Sequence, residues 1–161
     1  MDDYSSAAVV AAIYALFLGF YFLFIGLSVV VLVGAYVVNS IFLMQFFRTV
    51  GIEPWAAWVP YFNRWRQLEL GGFPGWVALF LLVPIANYAA AVFVYIAMYR
   101  TGIAFRKDGA FVVLGIFLPF VWALLLARDT EQYHPEVFAQ RGWQGPFIGE
   151  GARPPVPGTF I

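Results

Sequence analysis

AAVVAAIYALFLGFYFLFIGLSVVVLVGAYVVNSIFLMQFF, residues 7–47, runs for 41 positions without a charged side chain. A helix needs only roughly 20 apolar residues to cross the hydrocarbon core of a bilayer. Straight, this stretch would be about 61 Å long at about 1.5 Å per residue, so it must tilt strongly, project from the membrane or break. Gly19, Gly26 and Gly34 offer bends, but no polar turn interrupts the run. One long helix is therefore expected in preference to two short ones. A secretory signal carries basic residues ahead of its apolar stretch. This run is preceded by Asp2 and Asp3, which points to a retained anchor with its N-terminus outside.

Composition widens that reading to the whole chain. Of 161 residues, 63% are hydrophobic and 11% charged, with a mean hydropathy of +0.81. Soluble domains carry about 25% charged residues, so nine basic and nine acidic side chains cannot clothe a water-facing surface. The net charge of zero leaves no basic surplus for nucleic acid, and the low polarity excludes a disordered chain. Without cysteine there is no disulfide, thiolate nucleophile or cysteine-ligated metal, and His134 is the single histidine. The expected fold class is an all-α membrane protein, with a transmembrane domain over residues 1–127.

Two further apolar runs, residues 76–99 and 109–127, are each long enough for one passage. Three spans with the N-terminus outside place Arg48, Arg64 and Arg66 in a cytoplasmic first connection. Arg100, Arg106 and Lys107 then lie outside, and Arg128, Arg141 and Arg153 are cytoplasmic. If Pro84 made the second run a re-entrant hairpin, the tally would again be six to three. Arms of that length on either side of Pro84 cannot both cross, so three spans with a cytoplasmic C-terminus are expected.

Residues 53–70 read as a segment lying in the headgroup plane. Trp55, Trp58, Phe62 and Trp65 recur at helical spacing, with Arg64 on the opposite side. Indoles favour that depth because one edge can reach water. Arg66 and Glu69 fall near the aromatic side, so a single ideal helix through Pro60 is not expected. A membrane anchor fits these rings better than an aromatic ligand cage. From Arg128 the composition turns polar and then rich in Gly and Pro, so residues 128–161 are expected to form an extended tail.

Two motifs stand out. Val59-Pro60-Tyr61-Phe62-Asn63 is echoed by Val83-Pro84-Ile85-Ala86-Asn87. A proline in a helix removes a donor and clashes with the carbonyl four residues back, and Asn63 or Asn87 could supply amide hydrogens to groups so exposed. A kink with a local cap is the plainer reading; a discontinuous helix lining a transport path is the sharper one. The second motif is a seam of small residues, Ala8, Ala12, Ala15, Gly19 and Gly26, which lets another backbone approach. Ala86, Ala90 and Ala97 offer a shorter seam in the second run. Catalysis lacks its residues: Ser28 and Ser40 lie far from Lys107, no intramembrane carboxylate pair exists, and His134 has no second imidazole for a metal or haem. No enzyme activity and no cofactor are expected.

The string from Phe47 through Glu53-Pro54-Trp55-Ala56-Ala57-Trp58-Val59-Pro60 to Asn63, then Gly72-Phe73-Pro74-Gly75-Trp76 and Val83-Pro84-Ile85-Ala86-Asn87, resembles a family of small bacterial membrane proteins of unknown function. The likeness covers residues 26–133 or so. It implies a three-span module in the bacterial inner membrane, in some bacteria fused ahead of a signal peptidase domain. Pro54 stands where that family usually has Gly. The leading expectation is a non-catalytic accessory or scaffolding subunit of a larger membrane complex, partnered by the lipid bilayer and by other membrane subunits or its own copies. The alternative is a small oligomeric channel or transporter built around Asn39, Asn63 and Asn87.

Overall fold

A computed structural model describes residues 2–128 and 130–149, and among them every regular element is helical. The chain divides into two compact units, residues 1–37 and 38–161. Helix α1, Asp2–Thr49, is continuous. The run of alanine, leucine, valine and phenylalanine holds no proline to break it, and its three glycines are too isolated to do so. In the first unit every side chain from Ser6 to Leu27 is exposed. Among the described residues this is the one helix long and apolar enough to cross a membrane, Ser6–Thr49.

The second unit begins with the last turns of α1, whose Leu43, Phe46 and Phe47 enter its core. A 3₁₀ helix, Pro54–Trp58, leads to α2, Phe62–Leu70. A second 3₁₀ helix, Gly75–Leu82, precedes α3, Ala86–Ala104. A third, Gly109–Phe111, runs into α4, Val112–Phe117, followed by α5, Pro119–Leu126, and α6, Glu136–Gln140.

Neither the second nor the third apolar run is a straight span, so the three-span count is not confirmed. The second run breaks at Val83-Pro84-Ile85 and doubles back. Arg100 Nη1 donates to the Gly71 carbonyl at 3.3 Å, and Phe73 meets Phe93 edge-on at 5.4 Å between ring centres. Gly71 lies so close to α3 that an added Cβ would collide with the Ala97 backbone. The third run breaks at Leu118, which leaves the helical region (φ −135°, ψ 65°) ahead of the Pro119 ring. Its two ends meet: Lys107 Nζ pairs with Glu131 Oε1 at 2.5 Å, and the His134 amide donates to the Ala104 carbonyl at 2.9 Å. The rings of Phe111 and Trp122 lie 6.5 Å apart, whereas eleven residues of straight helix would separate them by about 16 Å.

Part of the segment after residue 127 packs into the second unit's core. Tyr133 and Phe138 are buried in the same core as Phe46 and Trp122, and the Phe147 amide donates to the Glu69 carbonyl. Arg100 lies over the rings of both Phe73 and Trp143, clasping this segment to α3. Aromatic side chains spaced through a polar stretch are enough to join it to a core. The end of the expected tail, residues 150–161, lies outside the described residues.

Candidate functional site

The two Val-Pro-x-x-Asn segments fold alike. In each, a 3₁₀ helix ends at the valine, the residue after proline takes a positive φ, and an α-helix starts at once. Tyr61 has φ 62° and ψ −36°; Ile85 has φ 73° and ψ −53°. The next amide folds back onto the proline carbonyl, Phe62 to Pro60 at 2.7 Å and Ala86 to Pro84 at 2.9 Å. These are γ-turns of the rare, strained kind. The asparagines close the pattern through their backbones: the Asn63 amide donates to the Val59 carbonyl at 3.1 Å and the Asn87 amide to Val83 at 3.0 Å. Neither turn carries a side-chain cap, and Asn87 Oδ1 is buried without a partner. Repair by the asparagine side chains, expected from the sequence, is replaced by this backbone bond.

The aromatic anchor residues separate. Trp55 and Trp58 are exposed, and Trp55 stacks on Phe62 at 5.2 Å with the rings 11° from parallel. Trp65 turns inward, its Nε1 donating to Glu69 Oε1 at 2.7 Å while the ring lies on Gly75, where a Cβ would strike it. The seam residues Ala8, Ala12, Ala15, Gly19 and Gly26 are all exposed, and a Cβ added at Gly19, Gly26 or Gly34 meets nothing.

Between the two helical hairpins lies a cleft of about 210 Å³, lined by Arg64, Leu81, Ala91, Val94, Tyr95, Gly115, Ile116 and Pro119. Its walls come from the arms of both hairpins, and α2 contributes its one charge. The Arg64 guanidinium donates to Gln67 Oε1 at 2.8 Å and, among the described residues, pairs with no carboxylate. Burial pulls its pKa below the usual arginine value, and the Tyr95 phenol pulls it partly back. Two residues on, Arg66 shows the ordinary arrangement: Glu69 takes its Nη1 at 2.8 Å. The sequence carried this contrast, Arg64 with an amide three residues later and Arg66 with a carboxylate three residues later, but helical spacing alone set Arg64 opposite the aromatic side and Arg66 near it. None of Asn39, Asn63 and Asn87 lines the cleft.

Elsewhere, His134 Nδ1 lies 2.8 Å from Glu136 Oε1, and the backbone amide of Glu136 and that imidazole hold its carboxyl below the usual range. No group of three metal-type ligands occurs among the described residues.

The family profile of a group of unknown function, DUF5684, matches residues 55–136. The chain belongs to this family. No curated protein and no solved structure matches the chain. The DUF5684 match opens at Trp55, ahead of the first proline turn, and closes at Glu136, past the Lys107–Glu131 pair and the His134–Ala104 bond. It therefore spans both hairpins and the residues that tie their ends together, and leaves α1 outside.

Proposed function

We propose that this DUF5684 protein crosses the bacterial inner membrane once, through α1, and dips two re-entrant hairpins into the cytoplasmic leaflet. The charge distribution carries the topology: all nine Lys and Arg residues follow residue 47. With both later runs doubling back they fall on one side, nine to none, where three spans would divide them six to three. Hairpin dimensions agree with this reading. The eight-residue 3₁₀ arm rises about 16 Å at about 2 Å per residue, about half of a roughly 30 Å hydrocarbon core. The tips are apolar and exposed at Ile85, Tyr88 and Phe117, as a lipid-facing surface requires. A signal sequence shares the position of α1 but needs an apolar stretch of only about 7–15 residues, and the uncharged run here is 41 residues long, 7–47.

Its function in this reading is that of a non-catalytic accessory subunit docking in a larger membrane complex through α1. The open seam carries it: lipid accepts any apolar side chain, whereas small residues at helical spacing serve the close approach of a second helix. The native chain lacks Cys, so single cysteines report topology cleanly. Cysteines replacing Asp108 and Gln140 are expected to resist an impermeant reagent applied from outside, while one replacing Ser6 reacts. Outside labelling at 108 would restore the three-span reading. Mild detergent extraction of the tagged chain from native membranes should recover partner subunits that Gly19→Leu and Gly26→Leu release. A monodisperse monomer without partners, from native membranes at native expression, defeats the docking role.

A further inference from the structure

The cleft between the hairpins brings aliphatic side chains together with a guanidinium that, among the described residues, pairs with no carboxylate. Four cationic side chains of the second unit are half-buried, Arg64, Arg66, Arg100 and Lys107. Arg66 has Glu53 and Glu69, and Lys107 has Glu131. Arg100 has the Gly71 carbonyl and the faces of Phe73 and Trp143. Arg64 has one neutral amide oxygen, from Gln67, and the cleft. A charge taken from water into apolar surroundings is costly unless paired, and a guanidinium's planar fork matches a phosphate or carboxylate.

We propose that the cleft binds an anionic membrane phospholipid, with its phosphate on Arg64 and the start of an acyl chain between the two hairpins. Three features select this occupant. The guanidinium supplies the complementary charge, and Tyr95 on the same wall can donate a second hydrogen bond to a phosphate oxygen. Leu81, Ala91, Val94, Ile116 and Pro119 offer hydrocarbon contacts beside Arg64 and Tyr95, a pairing that suits the junction of a phosphate and an acyl chain. A cleft of about 210 Å³ takes the phosphate and the start of one chain and leaves the rest of the lipid outside. Among the described residues no carboxylate lines the cleft to receive the ammonium of a zwitterionic headgroup, so a net negative lipid is preferred. The orientation rests on the hairpins lying in the cytoplasmic leaflet, but binding in micelles tests the cleft independently of topology.

The full chain, purified in a mild detergent and stripped of lipid, is titrated with phosphatidylglycerol, phosphatidylcholine or inorganic phosphate. Occupancy is read by native mass spectrometry and stability by thermal unfolding. One tightly held phosphatidylglycerol is expected, with weaker retention of phosphatidylcholine and no protection by phosphate. Arg64→Gln should weaken phosphatidylglycerol binding at least about tenfold, the loss expected for one charge-assisted hydrogen bond. Arg64→Lys should fall between, and Arg141→Gln should match the native chain. If Arg64→Gln fails to fold, Ile116→Trp keeps the arginine, fills the cleft and should expel the lipid. Native-like retention by a folded Arg64→Gln or by Ile116→Trp overturns the proposal, as does equal protection by phosphate alone. Cysteine labelling decides the topology separately, so the two readings can fail independently.

Discussion

Replacing Ile85 by glycine should stabilise the protein, against the usual rule. Ile85 holds φ 73° at the tip of the first hairpin, a region that a β-branched residue enters only under strain. Strained backbone of this kind costs about 1–3 kcal/mol, and glycine removes most of it. Two terms oppose the gain. Glycine loses about 0.4–1 kcal/mol more unfolded-chain entropy. The lost side chain matters little, since Ile85 is 84% exposed and a fully buried isoleucine is worth only about 1.5–3 kcal/mol. Taking mid-range values, Ile85→Gly gains about 1 kcal/mol. Ile85→Ala keeps the Cβ and the strain, so it should stay near the native value.

Equilibrium unfolding in mixed micelles is the appropriate assay, because detergent covers the tip in folded and unfolded states alike. The decisive quantity is the sign of the glycine–alanine difference. At an ordinary right-handed position glycine is worse than alanine by about 0.5–1 kcal/mol; at Ile85 it should be better by about the same amount. The matched turn at Tyr61, φ 62°, should show the same sign. Glycine less stable than alanine at both positions would refute the positive-φ turns and with them the reversal of the second run.

Three further outcomes are expected. Tyr133→Phe should stabilise by about 1–2 kcal/mol, because the native hydroxyl is buried without a partner. Burial also raises the pKa of Tyr133, so the unfolded chain loses its proton first and native stability should fall as pH rises above about 10; Tyr133→Phe should flatten that decline in alkaline unfolding curves. Phe138→Ala should cost about 3–5 kcal/mol in the same unfolding experiment, as for a fully buried ring, whereas a free tail would show no change. Gly71→Ala, forced against Ala97, should cost about 1–3 kcal/mol, while Gly19→Ala, with open space around it, should be neutral or slightly stabilising.

What the sequence disclosed depended on how local the signal was. Residues 7–47 announced a helix because nothing in them permits anything else in lipid. The prolines announced breaks, but a kink and a full reversal begin with the same Val-Pro pair. The difference lies in the positive φ of Tyr61 and Ile85, and no glycine marks either position. The burial of Tyr133 and Phe138 was hidden because Gly, Pro and charged neighbours dilute their signal below any helical period. Arg64 was hidden for a related reason: an unpaired cation and a paired one look identical until the carboxylates have been placed.

The strained turns become intelligible once depth is considered. A hairpin tip inside a bilayer must satisfy its own backbone, because no water reaches it and each orphaned group costs several kcal/mol. A γ-turn closes within three residues, and the Ala86 and Asn87 amides immediately find the Pro84 and Val83 carbonyls. The second tip uses a different device with the same result: the Leu118 amide reaches Leu114, and the Leu118 carbonyl takes the amides of Val121 and Trp122. Glycine at Ile85 would make the first reversal easier but would leave bare peptide facing hydrocarbon, whereas Ile85, and Leu118 at the second tip, cover it with an apolar side chain. In the proposed topology, strain of about 1–3 kcal/mol is thus exchanged for insertion. The same Ile85→Gly substitution that stabilises the fold in micelles should therefore weaken the seating of the tip in a bilayer, which a quenching probe beside residue 85 would register as a shallower position.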